Sequence, residues 1–101
     1  MVFHKIALLR DIPEGSVKKI KIEDIWIALY NTEGQICATN DACPHAGGSL
    51  SEGTLEQETI TCPLHGWKFN VTDGLCKNIP GMKVRTYPVK VEDQDVLVDI
   101  D

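Results

Sequence analysis

No long apolar run occurs in this sequence. None of its segments approaches the roughly 20 residues that a membrane-spanning helix requires. Met1 to Arg10 has Lys5 inside its short apolar stretch and no small-residue cleavage site, so neither an anchor nor a secretory leader is expected, and the chain is placed in the cytoplasm. Stripes of Lys and Arg are lacking as well. With 10 basic against 15 acidic side chains the net charge is -5, which disfavours nucleic acid as a partner and leaves carboxylates able to steer an encounter with a basic protein face. Helical periodicity, internal repeats, low-complexity tracts and linkers are also missing. At 101 residues there is room for one core, so residues 1–101 are expected to form a single domain.

What is present is a succession of short strand signals. Phe3 to Leu9 mixes apolar and polar residues, and Asp11-Ile12-Pro13-Glu14-Gly15 turns the chain. Val17 to Ile22 is amphipathic. Ile25 to Tyr30 is apolar enough to be covered on both faces, and Asn31-Thr32-Glu33-Gly34 is a turn into Gln35 to Thr39, so these three strands are expected to form a meander. Asn40 to Gly53 has no periodicity and predicts a loop. Thr54 to Glu56 and Thr59 to Thr61 predict a short hairpin, Gly66 to Asn70 a strand, and Leu75 to Lys77 the start of its partner. Lys83 to Val91 alternates as one strand, with Val96 to Ile100 closing a last hairpin. The expected fold class is all-β, an antiparallel sandwich with ligand-bearing hairpins inserted between about residues 40 and 80.

Cys43-Pro44-His45 is followed, after sixteen residues, by Cys62-Pro63-Leu64-His65. Each segment offers a soft thiolate and an imidazole at turn spacing, and such donors select zinc, copper(I) or iron-sulfur clusters. In a Cys2His2 zinc finger one segment supplies both Cys and the other both His; here each carries a mixed pair. That suits a two-iron cluster in which one iron is held by two Cys and the other by two His: Cys43 and Cys62 on one iron, His45 and His65 on the other. A zinc-stabilised module without redox activity, or a chance pairing of core cysteines with surface histidines, are the alternatives. Cys37 and Cys76 remain, and both read as small buried hydrophobes with free thiols.

The C-x-H and C-x-x-H pair resembles the Rieske [2Fe-2S] proteins, and Gly66-Trp67 with Phe69-Asn70-Val71-Thr72-Asp73-Gly74 is similar to the family's continuation of the second loop. The resemblance implies one [2Fe-2S] cluster at the tip of a small subdomain, with a proline-containing third loop that Pro80 matches. Gly47, Gly48 and Gly66 would let backbone N–H groups approach the cluster sulfides, and Pro44 and Pro63 would stiffen the turns. In the high-potential branch of the family each ligand loop carries a further Cys, and the two form a disulfide; Gly48 and Leu64 occupy the matching positions here. Hydroxyl side chains two and four residues after the second ligand His are replaced by Trp67 and Phe69. Without those O–H donors to sulfur the midpoint is expected toward the low end, on the order of -150 mV.

The implied activity is that of a soluble one-electron carrier, not an enzyme, passing electrons from an NAD(P)H-dependent flavin reductase to a terminal oxygenase such as a ring-hydroxylating dioxygenase, with docking near His45 and His65. The alternative within the family is the small subunit of an NAD(P)H nitrite reductase. A complete Rieske oxygenase needs a separate mononuclear iron site of two His and a carboxylate. Only His4 is left over, so that activity is excluded.

Overall fold

The structure, a computed structural model, describes residues 2–44, 47–64 and 66–100. These form ten strands and two 3-10 turns. The strands are β1 (Phe3–Leu8), β2 (Val17–Ile22), β3 (Ile25–Thr32), β4 (Gln35–Asn40), β5 (Thr54–Glu56), β6 (Thr59–Thr61), β7 (Lys68–Asn70), β8 (Thr86–Tyr87), β9 (Val89–Glu92) and β10 (Asp95–Asp99); the turns are Leu9–Asp11 and Leu50–Glu52. They make three antiparallel sheets, ordered β1-β10-β9, β2-β3-β4-β8 and β5-β6-β7.

The second sheet is the middle layer, and its two faces feed different cores. Ile27, Leu29, Ile36 and Ala38 point to one side, where they join Ile12, Tyr87, Val96, Val98 and Ile100 under the β1-β10-β9 sheet. Ala28, Tyr30 and Cys37 point to the other and pack with Leu50, Ile60, Phe69, Val71, Val84 and both motif cysteines. This explains why β3 shows no alternation: from Ile27 to Thr32 every residue is buried, as in strands covered on both faces. The exception is at its start, where Trp26 is 47% exposed and lies under the ammonium groups of Lys19 and Lys21 on the edge strand β2.

The meander β2-β3-β4 forms as the turn spacing requires, Val17 pairing with Tyr30 and Tyr30 with Cys37. Two expectations are corrected. The alternating run from Lys83 to Val91 is not one strand: Pro88 has no N–H to give a ladder, and the chain changes sheets there. Thr86–Tyr87 pairs with β4 and Val89–Glu92 with β10. Leu75 to Lys77 makes only isolated bridges, Phe69 to Cys76 and Leu75 to Lys83, in place of a strand. Burial of Cys37 is as expected, whereas Cys76 is only half-buried; all four cysteines are free thiols.

Tyr30 is fully buried beneath the cysteine-bearing layer, its hydroxyl 2.8 Å from Thr39 Oγ1. Burial pushes its phenol well above the usual range, the Thr39 hydrogen bond pulls the other way, and Asp41 and Cys37 add to the rise. An unfolded chain ionises tyrosine near pH 10 while the folded one stays neutral. The stabilisation is therefore fully present below about pH 10 and is lost as pH rises beyond it. In Tyr30→Phe stability at neutral pH is expected to fall by about 1 kcal/mol for the lost hydrogen bond, but the decline above about pH 10 should be shallower than in the parent. Urea titrations at stepped pH check this, and parallel declines in the two proteins would refute it.

Candidate metal centre

Each motif cysteine begins a six-residue loop of the same construction. In the first, the Cys43 N–H donates to the Gly48 carbonyl at 2.7 Å, and the Gly47 N–H returns to the Cys43 carbonyl at 2.8 Å. In the second, the Cys62 N–H donates to the Trp67 carbonyl at 2.7 Å. The fifth residue of each, Gly47 (φ 72°) and Gly66 (φ 70°), is left-handed, a conformation that an L side chain disfavours. Pro44 and Pro63 follow the cysteines and, lacking an N–H, ask nothing of the loop's hydrogen bonding.

The supports of the loops differ. The second caps a regular ladder: Cys62 directly follows β6, Trp67 directly precedes β7, and Thr61 pairs with Lys68. The hairpin β5–β6 is anchored to the middle sheet where the Thr32 hydroxyl donates to the Gln57 carbonyl at 2.6 Å. The first loop leaves β4 at Asn40 and returns through a single bridge, Ala42 to Ser49, into the Leu50–Glu52 turn.

The two loops touch. A Cβ built on Gly48 would lie 3.1 Å from Leu64 Cδ1 and 3.3 Å from Cys62 Sγ, so positions 48 and 64, where the high-potential branch has its extra cysteines, are neighbours here as well. Cys43 and Cys62 are 2% and 0% exposed and pack in the same core. Burial pushes the Cys62 thiol up; the Leu64 N–H opposes this, and Cys43 adds to it. Buried in this way, the Cys62 thiol resists ionisation. A cation bound at the sulfurs reverses that balance, because a coordinating thiol is deprotonated outright. The donor set therefore fits a thiolate-bound metal centre.

His45 and His65 lie outside the described residues. Trp67 is half-buried and Phe69 fully buried, packed with the core that contains both cysteines; neither bears a hydroxyl. Pro80 is exposed on the turn closed by the Met82 N–H to Ile79, and this segment reaches the cysteine core through Met82. His4 belongs to β1, in the sheet on the far side of the middle layer. A residue that the motif does not reveal is Asp41, whose buried carboxylate accepts hydrogen bonds from Ser49 and Ser51. An acid two residues before the cysteine, with Ser-x-Ser after the loop, was its only signal. Burial pushes this carboxyl up, but the hydrogen bonds from Ser49 and Ser51 and the nearby Lys19 ammonium outweigh it and hold it below the usual carboxylate range.

An all-β scaffold that brings two buried cysteines together at the tips of paired loops has the build of a small thiolate metal carrier. Residues 2–88 match the Rieske [2Fe-2S] domain. The ferredoxin component of the naphthalene 1,2-dioxygenase system of Pseudomonas aeruginosa is 43% identical over 91% of this chain and 89% of its own. Among solved structures, the Sphingomonas yanoikuyae B1 ferredoxin superposes with a TM-score of 0.91 at 27% identity, covering 99% of this chain and 100% of that one. A chain from the complex of reduced oxygenase and oxidized ferredoxin in carbazole 1,9a-dioxygenase gives 0.87 at 33% identity, covering 95% and 91%. The chain belongs to the Rieske [2Fe-2S] domain family. Its cofactor is one Rieske-type [2Fe-2S] cluster, and it is an electron-carrying ferredoxin component rather than a catalyst.

Proposed function

We propose that Cys43 and Cys62 ligate one iron and His45 and His65 the other, and that the single domain of residues 1–101 carries one electron from a flavin-dependent, NAD(P)H-oxidising reductase to a terminal oxygenase, in the cytoplasm. The observation that carries this reading is the meeting of the two buried sulfurs at the tips of two matched loops. The cluster supplies reversible one-electron storage. The chain holds it by thiolates set in a buried core and keeps Gly48 small where the loops meet.

The proposed docking face is the tip, where Pro44, Gly47, Pro63 and Gly66 are exposed and Leu64 is 46% exposed. That is a cluster of uncharged residues in a protein of net charge -5, the composition of an interface core. Support for an oxygenase as acceptor comes from the 33% identical structure, described as a complex of oxygenase and ferredoxin. No helix among the described residues is long and apolar enough to cross a membrane.

Purified protein is expected to contain iron and acid-labile sulfide, to be red-brown, and to titrate with a midpoint on the order of -150 mV. Trp67 and Phe69 offer no hydroxyl to sulfur, which leaves the reduced, more negative cluster less stabilised. A midpoint well above zero would remove the low-potential assignment. Colourless protein containing zinc would remove the carrier itself.

A further inference from the structure

The second ligand loop is held by the β6–β7 ladder that it caps. The first has no such ladder, and Asp41 stands where one would be. It is 3% exposed, and every polar group it has is engaged. Its N–H donates to the Trp26 carbonyl at 2.9 Å and its carbonyl accepts from the Leu50 N–H at 2.7 Å. One carboxylate oxygen accepts from the Ser51 N–H at 2.8 Å; the other accepts from the Ser49 hydroxyl at 2.5 Å and lies 3.5 Å from the Lys19 ammonium. The Ser49 and Ser51 hydroxyls are 2.9 Å apart. Lys19 itself sits 4.7 Å above the Trp26 ring. One side chain thus ties the outgoing and returning arms of the Cys43 loop to each other and to the middle sheet.

Charge-assisted hydrogen bonds of this kind are stronger than neutral ones, and a carboxylate buried with its partners is costly to disturb. Its negative charge also stands two residues from a cluster ligand, and net charge near a cluster is one determinant of its potential. We propose that Asp41 is a positioning residue for the electron-transfer site: its carboxylate clasps the Cys43 loop shut and supplies a fixed negative charge behind it, moderated by Lys19. This rests on the assignment of Cys43 as a ligand.

The test uses the cluster-loaded protein and three variants, Asp41→Ala, Asp41→Asn and Lys19→Met. Hydrogen exchange by mass spectrometry is read on peptides covering residues 41–52 and 59–70. Asp41→Ala should exchange at least tenfold faster in the first peptide and unchanged in the second, and should lose visible absorbance to a chelator at least tenfold faster. Asp41→Asn keeps an acceptor for the Ser51 N–H and should recover most of the protection. Its midpoint should nevertheless rise, because a charge opposing electron addition is gone, whereas in Lys19→Met the midpoint should fall. If Asp41→Ala does not accumulate, Ser49→Ala removes one arm and should give the same pattern at smaller amplitude. Exchange rising equally in both peptides, or potentials unmoved in both charge variants, overturns the proposal. Failure of the ligand assignment would be seen separately, as an absence of iron and sulfide from the parent protein.

Discussion

Cys43→Ser protein is expected to be isolated colourless, with visible absorbance and acid-labile sulfide reduced to background, and Cys62→Ser should match it. The thiolate is the metal ligand, and a serine hydroxyl is a far weaker acid that offers no soft donor. Both cysteines are enclosed in the same core, so on this assignment each loop supplies one sulfur and neither can substitute for the other. The control lies in the same protein. Cys76 is half-buried, beside Phe69 across an isolated bridge, and Cys76→Ser should retain essentially all of the absorbance. Iron and sulfide analysis with visible spectra of the three variants decides the matter. A red-brown Cys43→Ser protein, or a colourless Cys76→Ser protein, would reassign the ligands.

The second large effect is expected at Gly53, between the Leu50–Glu52 turn and β5. A Cβ there would lie 2.0 Å from the Thr61 carbonyl oxygen and 3.2 Å from that of Leu50. Both are backbone atoms, fixed by the β5–β6 ladder and by the turn's own Gly53 N–H bond to Leu50, so no side chain can swing away to make room. Gly53→Ala must push β5 off β6, one residue before Cys62. A loss of about 3 kcal/mol or more is expected, at the severe end for one substitution, together with weakened cluster retention. Gly15→Ala provides the contrast. It has open space around its Cβ and only a left-handed φ of 82° against it, a cost of roughly 1–2 kcal/mol. Thermal or urea unfolding of the two variants separates steric exclusion from backbone strain. Equal losses would show that the Gly53 contact relaxes without resistance.

Much of this architecture was legible in the chain because its signals are local. Val17 to Ile22 and Gln35 onward are bounded by turn residues one or two positions away, and the strand limits follow. The unalternating run after Ile25 foretold a layer covered twice. The pairing of β1 with β10 had no local signal, since Phe3 and Asp99 are partners in the sheet but lie at opposite ends of the chain. The change of sheet at Pro88 was signalled by the proline itself, but the strong alternation on either side of it masked the break. Of the site, the cysteines were marked by residue type and spacing alone. Asp41 was not, because its role depends on three partners, Lys19, Ser49 and Ser51, gathered from both sides in sequence. Nothing in a lone aspartate before a cysteine distinguishes a clasp from a solvated turn.

The middle sheet separates two apolar interiors, and of these only one contains the two cysteines proposed as ligands. On that assignment, removal of the prosthetic group should cost one half of the molecule its cross-link and leave the contacts of the other half in place. The platform of β1, β9, β10 and the ligand-free face of the meander can persist as an independent cooperative unit while the tip frays. The cluster-free chain is expected to stay largely folded until iron and sulfide reach the two loops.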